Sequence, residues 1–162
     1  LFLSMADRAP NIRRAPVESL SALVHEVIEY HEASIQEEGL KTAIRGDSAT
    51  SVDERLLRRA ISNLLGNATR YAERDTTITI EIQRSVDGIV SIGISNLGPS
   101  IAAEHLPRLF DRFYRVDPAR AFAVRNHGLG LSIVSAIARM HGGTTFARSG
   151  YGVTCIGLTL RG

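Results

Sequence analysis

The sequence predicts an α+β fold in which helices are layered on one sheet. Residues 53–72 carry apolar side chains at helical spacing, which predicts a long amphipathic helix. Residues 76–84 alternate apolar and polar side chains, as a half-buried strand does. The dipeptide Asp87-Gly88 then predicts a hairpin turn before a second alternating run at residues 90–94. Helices combined with a hairpin are typical of the α+β class.

The composition is that of one soluble globular domain. The chain has 162 residues, of which 44% are hydrophobic and 22% are charged. Its net charge of +2 provides no large basic field, so we expect no nucleic-acid partner. The single Cys155 excludes an internal disulfide. The sequence has neither an apolar run of about 18 residues nor a secretory signal pattern, so we expect a soluble chain.

The first half of the chain contains start and stop signals for its elements. Pro16 suits the first turn of a helix, Gly39 suits a helix end, and Asp53 is a plausible N-cap. The predicted elements are the tail of a helix at residues 1–7, an edge strand at 11–14, a helix at 17–38, a strand at 40–45, a turn at Gly46-Asp47 and the long helix at 53–72.

The second half is predicted to contain the hairpin, one more helix and two final strands. Residues 96–100, NLGPS, break the strand that follows the hairpin, and residues 119–126 predict a mobile loop. The other predicted elements are a helical turn at 103–106, a helix that Gly128 and Gly130 open and that turns Ile133, Val134, Ile137 and Met140 inward, a cap at Gly142-Gly143, and strands at 144–149 and 152–160 around a Tyr151-Gly152 turn.

Two asparagines lie in the middle of the long helix. Asn63 and Asn67 are one turn apart, so their amides lie on one side, at the edge of the apolar stripe. Asn favours caps and turns over helix interiors. The pair therefore suggests that a polar group docks there, although edge amides bonded to a neighbouring loop would give the same pattern.

Four short motifs follow one another along the chain. They are Asn63-x-x-x-Asn67-Ala68 on the helix, Asn96-x-Gly98-Pro99 after a strand, Phe110-x-x-Phe113, and Gly128-Leu129-Gly130-Leu131 at a helix start. Each motif alone is weak evidence. Their order and spacing resemble the N, G1, F and G2 boxes of the catalytic ATP-binding domain of sensor histidine kinases. The phrase HLPRLFDRFYRVDPAR is most similar to the heavy-metal (copper or silver) sensor branch.

This resemblance implies a Bergerat-type ATP-binding fold, which is a two-layer sandwich with helices packed on one face of a mixed, mostly antiparallel sheet. It implies ATP and Mg²⁺ as cofactors. It also implies a catalytic domain at residues 9–162, preceded at 1–8 by the tail of the dimerisation and phosphoacceptor helix hairpin. The positions that match nucleotide-contacting residues of the family are Asn67, Arg70, Tyr71, Asn96, Gly98, Ile101, Phe110, Phe113, Arg115, Arg125, His127, Gly128, Leu129, Gly130 and Leu131.

The family's catalytic positions correspond to Asn63 and Asn67, with Asn67 as the Mg²⁺ ligand. A neutral amide oxygen suits Mg²⁺, which takes its other ligands from water and phosphates. Gly128 and Gly130 would let the backbone approach phosphate at a helix N-terminus, unless they simply form a flexible loop. Core packing is the alternative for Tyr71.

The segment between the third and fourth motifs would be a lid over the nucleotide. Arg115, Arg120 and Arg125 on it are candidate phosphate contacts, although solvated arginines are the default. Phe110 and Phe113, three residues apart on one helical side, would anchor the lid in apolar surface. Core residues would show the same spacing.

Three positions depart from the family pattern. Asn96 stands where the family normally has an Asp that binds the adenine amino group, Ser100 replaces a glycine, and Asn126 replaces the first glycine of the G2 box. An amide can still accept from the amino group. A neutral hydrogen bond is weaker than a charge-assisted one, so we expect lower nucleotide affinity.

The family's phosphoacceptor is a histidine, but His25 is a poor candidate because the Arg and Pro of the acceptor motif are missing after it. The five histidines also lack ligand-like spacing, so we expect no metal pair. The resemblance therefore implies transfer of the ATP γ-phosphoryl group to a histidine on a separate hairpin. It further implies a response regulator served indirectly, a homodimeric parent in a bacterial inner membrane with this domain in the cytoplasm, and a monomeric fragment.

Three alternatives remain open from the sequence. A regulatory domain of the same fold would bind ATP without transferring phosphate. An ATP-driven clamp or a serine kinase of the same superfold would lack the F-box phrase. A basic nucleic-acid module would need a contiguous basic stripe, whereas the arginines here are dispersed among acidic residues.

Overall fold

The computed structural model describes residues 11–116 and 130–162. Its strands are β1 (Ala15–Val17), β2 (Lys41–Arg45), β3 (Thr50–Val52), β4 (Thr77–Arg84), β5 (Ile89–Leu97), β6 (Thr145–Gly150) and β7 (Val153–Arg161). Its helices are α1 (Leu20–Tyr30), α2 (Glu32–Glu37), α3 (Glu54–Tyr71), α4 (Gly130–Met140) and a 3₁₀ helix at Leu106–Arg108.

The main sheet has five strands in the order β2-β4-β5-β7-β6. β2 pairs with β4 in parallel, and the other neighbours are antiparallel. Ile78, Ile80 and Ile82 of β4 are buried in one core with α1, α3 and α4, while the residues between them are more exposed. Helices therefore cover one face of a mixed, mostly antiparallel sheet, and the predicted fold class is confirmed.

α3 is the central helix of the core. Its apolar stripe is buried, and its first turn is capped by the Asp53 side chain, which accepts a hydrogen bond from Leu56 N. α3 packs against α4 and α1 on the same side of the sheet. The sequence predicted this helix and its N-cap correctly.

The predicted helix at 17–38 is wrong at its start and in its middle. Ser19 accepts from Ala22 N, so the helix begins at Leu20 rather than near Pro16. Pro16 instead lies in β1, which among the described strands pairs only with the short β3, so its missing N–H costs little. The helix is interrupted at His31, and Gly39 ends α2 with a positive φ of 67°.

Three smaller differences concern strand positions. Residues 11–14 form no strand, and the edge strand lies directly after them at β1. β3 was not predicted. β5 continues through Asn96 to Leu97, because both residues pair with β7.

Among the residues that the structure describes, no helix combines the length and apolar character needed to cross a membrane. The helix tail expected at residues 1–7 and the loop expected at 119–126 lie outside the described residues.

Candidate functional site

A cavity of about 740 Å³ opens beside the C-terminal part of α3 and the start of α4. β5 and β7 contribute its buried polar wall, and the loop after β5 contributes the remainder. The lining residues are Asn67, Arg70, Tyr71, Ala72, Glu73, Asn96, Pro99, Ser100, Ile101, Leu109, Tyr114, Arg115, Val116, Gly130, Leu131, Thr154 and Ile156. Eight of the predicted site residues are in this set.

The α3 side of the cavity carries Asn67, Arg70 and Tyr71. Their spacing of three and four residues places them on one face of the helix. The Arg70 guanidinium lies 5.9 Å from the centre of the Tyr71 ring. Tyr71 is 48% exposed and lines the cavity, so it is not a core residue.

Asn63 does not line the cavity. Its Nδ2 donates to the Gly130 carbonyl oxygen at 3.2 Å and thereby ties α3 to the first residue of α4. Gly130 and Leu131 at this end of α4 do line the cavity. The positive dipole end of a helix favours an anion at such a position. Asn63 therefore positions the start of α4.

Two uncharged polar side chains are almost fully buried against the cavity. Asn96 of β5 is 5% exposed and Thr154 of β7 is 6% exposed, and the two residues are direct cross-strand partners. Asn96 Nδ2 donates weakly to Leu97 O at 3.4 Å, and the Thr154 hydroxyl lies 2.8 Å from Ser149 Oγ. We call Asn96 and Thr154 the buried polar pair.

Three hydrogen bonds hold the loop at 98–101 against the β6–β7 hairpin. Gly98 N donates to Gly152 O at 2.9 Å, Gly152 N to Ser100 Oγ at 3.1 Å, and Ile101 N to Ser149 Oγ at 2.8 Å. Gly98 lies behind the cavity wall, where a Cβ would come within 2.6 Å of the Tyr71 carbonyl oxygen. Glycine is therefore required there by the close approach of α3.

Phe110 and Phe113 were predicted to lie on one side of a helix, and this prediction is wrong. Residues 109–113 form turns rather than a helix, and Phe113 has a φ of +64° and is 69% exposed. Phe110 is partly buried against the core, and Leu109 is the buried residue that lines the cavity.

Arg115, a candidate phosphate contact, lines the cavity next to Tyr114, which the sequence did not single out. The Tyr114 hydroxyl is hydrogen-bonded to His105 Nδ1, and the Arg108 guanidinium lies 4.5 Å from the centre of the Tyr114 ring. These contacts fix the segment that carries Arg115. No sequence pattern marked Tyr114, because its partners lie within one irregular loop.

Four of the predicted site residues, Arg125, His127, Gly128 and Leu129, lie outside the described residues, as do Arg120 and Asn126. Within residues 11–116 and 130–162, no group of three His, Cys, Asp or Glu side chains is placed to hold a metal ion. The Asn67 amide on the cavity wall would supply one oxygen ligand, which fits a Mg²⁺ ion that takes most of its ligands from phosphate and water.

The sequence pattern of the family described as histidine kinase-, DNA gyrase B- and HSP90-like ATPases matches residues 52–161. That range contains every described residue of the cavity wall. The chain belongs to this family. The resemblance inferred from the four motifs is thereby confirmed.

The sensor histidine kinase CusS of Escherichia coli strain K12 is 42% identical over 150 residues. The match covers 92% of this chain but only 31% of the relative, so this chain corresponds to about a third of that protein. Full-length ShkA in complex with AMPPNP superimposes with a TM-score of 0.85 at 23% identity, covering 99% of this chain and 34% of that one. The catalytic domain of the histidine kinase ThkA superimposes with a TM-score of 0.80 at 21% identity, and the match covers 93% of this chain and 96% of that one. Both structures share the fold.

Proposed function

We propose that this chain is the ATP-binding catalytic domain of a sensor histidine kinase and that it transfers the γ-phosphoryl group of ATP to a histidine on a separate helix hairpin of its parent protein. The observation that carries the proposal is the cavity itself. It combines the Asn67 amide, two arginines and the start of α4 with a buried, uncharged polar end.

The cavity residues differ in charge and burial, and each kind would bind a different part of the nucleotide. Arg70 and Arg115 lie on its more exposed parts and would offset negative charge on a triphosphate. The start of α4, held by Asn63, would face phosphate oxygens with its positive dipole end. The buried polar pair would bind the base. Phosphoryl transfer depends chiefly on such positioning and charge stabilisation.

Asn67 would hold Mg²⁺ together with phosphate oxygens, and the ion would supply charge neutralisation between phosphates. A neutral ligand adds no negative charge next to the triphosphate. We infer no general base in this chain, because an acceptor imidazole is itself the nucleophile. Transfer would then require only that the acceptor histidine reach the open side of the cavity.

The organisation of the parent protein is part of the same proposal. Residues 9–162 would form the catalytic domain, and residues 1–8 would be the tail of the dimerisation hairpin. The parent would be a homodimeric inner-membrane sensor of the heavy-metal branch, with this domain in the cytoplasm and a response regulator downstream. The fragment alone would be monomeric, and a stable dimer in sedimentation at low concentration would contradict that.

Phosphotransfer to a supplied acceptor tests the proposed function. The chain would be incubated with γ-labelled ATP, Mg²⁺ and the parent's histidine-bearing hairpin, produced separately. We expect acid-labile label on the hairpin. We also expect loss of transfer with Asn67→Ala and unchanged transfer with Gln83→Ala, which alters an exposed amide of β4 away from the cavity. ATP binding without transfer would instead support a regulatory domain.

A further inference from the structure

The buried polar side chains of the cavity are neutral, and the one lining carboxylate of the described residues, Glu73, is exposed. Asn96 and Thr154 are the lining residues of the described chain whose polar side chains are buried, and neither carries a charge. Ile101, Leu109 and Ile156 line the cavity as well. Given the proposed function, on which this inference rests, the triphosphate would lie toward the arginines. The purine would then lie against the apolar residues, with its polar edge at Asn96.

An amide reads a purine edge differently from a carboxylate. A carboxylate only accepts hydrogen bonds, whereas the Asn side chain carries an accepting oxygen and a donating NH₂ group. Adenine presents a 6-amino donor beside the accepting ring nitrogen N1. A 6-oxopurine presents the reverse, an accepting oxygen beside a donating N1–H. Turning the Asn amide by about 180° around χ2 exchanges its donor and acceptor, so one side chain can pair with either edge.

The surroundings of Asn96 hold its amide only weakly in one orientation. Among the described residues, its side chain has one hydrogen bond, the 3.4 Å contact from Nδ2 to Leu97 O. Leu97 O also accepts from Glu73 N at 2.7 Å, so it keeps a partner when the amide turns. Turning the amide replaces this weak hydrogen bond with a contact between two acceptors, Asn96 Oδ1 and Leu97 O, which a bound nucleotide must offset. It leaves no backbone carbonyl without a hydrogen bond, which is the costlier outcome for buried groups.

The second member of the buried polar pair is equally adaptable. The Thr154 and Ser149 hydroxyls lie 2.8 Å apart, and either can be the donor. Since a hydroxyl both donates and accepts, Thr154 can present either polarity next to Asn96. Neither buried polar group is fixed in a pattern that rejects a 6-oxo group.

We propose that Asn96 makes this site permissive at the purine 6-position, so that it binds 6-oxopurine nucleoside triphosphates as well as ATP. Inosine triphosphate isolates this position, because it has the 6-oxo group without the 2-amino group of guanine. We expect its Kd to be within about tenfold of that of ATP, since both pairings are neutral hydrogen bonds of similar strength. The Asn96→Asp variant, which can only accept, is expected to prefer ATP by about 100-fold or more, because the 6-oxo group would then face an unpaired carboxylate.

The test is calorimetric titration of the chain with Mg²⁺ and either ATP or inosine triphosphate. Asn67→Asp is the matched control, because it makes the same chemical change on the α3 side of the same cavity. It is expected to change both affinities together and leave their ratio unaltered. Unfolding curves of each variant establish that it is folded.

The ratio of the two Kd values in the wild type is the first test, and its change in Asn96→Asp is the second. Comparable binding of both nucleotides supports it, and a ratio that grows only in Asn96→Asp assigns the property to Asn96. Binding of ATP with rejection of inosine triphosphate by about 100-fold or more overturns this inference and leaves the proposed function standing. An unchanged ratio in Asn96→Asp also overturns it. Binding of neither nucleotide overturns both.

Discussion

Asn63 and Asn67 lie one helical turn apart on α3, yet their side chains have different partners. Asn63 donates to the Gly130 carbonyl at the start of α4, whereas Asn67 lines the cavity. The sequence left open whether the pair were edge amides or ligands. In the structure, the edge-amide interpretation applies to Asn63, which leaves Asn67 as the candidate ligand.

His141 is the most deeply buried titratable side chain of the described core, with no exposed surface. Its Nε2 accepts from Asp53 N at 3.0 Å, so Nδ1 carries the proton and donates to Ile137 O at 2.8 Å. Burial holds its pKa below the usual value near 6.5, and nearby Arg14 acts in the same direction. The neutral imidazole thus joins the end of α4 to the start of α3.

We predict that acid weakens the fold through His141. The unfolded chain gains a proton near the usual histidine pKa, while the folded chain gains it only at lower pH. The free energy of unfolding therefore has its full value above about pH 7. It falls as the pH drops through the pKa of histidine in the unfolded chain, by at most about 1.4 kcal/mol per pH unit for one group. Burial also lowers the pKa of His31, which adds to the same trend.

Urea unfolding at several pH values between about 5 and 8 measures this effect. His141→Gln cannot titrate, so it should flatten the pH dependence whatever its effect on absolute stability. His25→Gln alters an exposed side chain of α1 and should retain the wild-type slope. An unchanged slope in His141→Gln would show that His141 is not responsible.

At the scale of elements, the β6–β7 hairpin supports the cavity wall from outside. Ser149 Oγ accepts from Ile101 N and lies next to the Thr154 hydroxyl, so one side chain joins the loop at 98–101 to the buried polar pair. Ser100 Oγ accepts from Gly152 N on the same hairpin. Ser100, which replaces a glycine of the family pattern, thus adds a side-chain hydrogen bond between the loop and the hairpin.

We predict that Ser149→Ala loosens this wall. It leaves the Ile101 N–H and the Thr154 hydroxyl without a hydrogen-bond partner, which should cost about 1–3 kcal/mol of unfolding free energy. Nucleotide affinity should fall several-fold. Ser91→Ala, on β5 and outside the cavity lining, is the matched control for removing a strand hydroxyl. Chemical unfolding and ATP titration check both effects, and equal stability of the two variants would contradict the prediction.

The elements that could be predicted from sequence are those with long, regular patterns. α3, β4, β5 and their hairpin each span enough residues for the periodicity to be unambiguous. β1 and β3 have three residues each and depend on one another across the chain, so no local pattern marks them. The turn at Phe113 was missed because a spacing of three residues also occurs in a helix.

The part of the candidate site that could be predicted from the sequence is the part that belongs to the ordered motifs. Asn67, Arg70, Tyr71, Asn96 and Arg115 were named from the sequence and line the cavity. Thr154 and Ile156 were not, because their place depends on the register of β7 against β5, which no local pattern encodes. Leu109 and Tyr114 depend on the irregular loop.

At the scale of the whole molecule, the sheet and helices place the cavity at one end of the helical layer. α3 and α4 pack side by side, so the polar end of α3 and the start of α4 meet there. β5 and β7 supply the buried polar pair from the adjoining sheet. Because the net charge is only +2, we expect the chain to attract an anion through these local groups rather than through an overall field.

The central claim is that this cavity binds ATP with Mg²⁺ through Asn67. Calorimetric titration of ATP with and without Mg²⁺, on the wild type, Asn67→Ala and the control Gln83→Ala, tests it most directly. We predict binding that Mg²⁺ strengthens in the wild type and the control, and an affinity about tenfold or more lower in Asn67→Ala with little response to Mg²⁺. Absence of binding at millimolar ATP, or equal Mg²⁺-dependent binding in Asn67→Ala, would contradict the account.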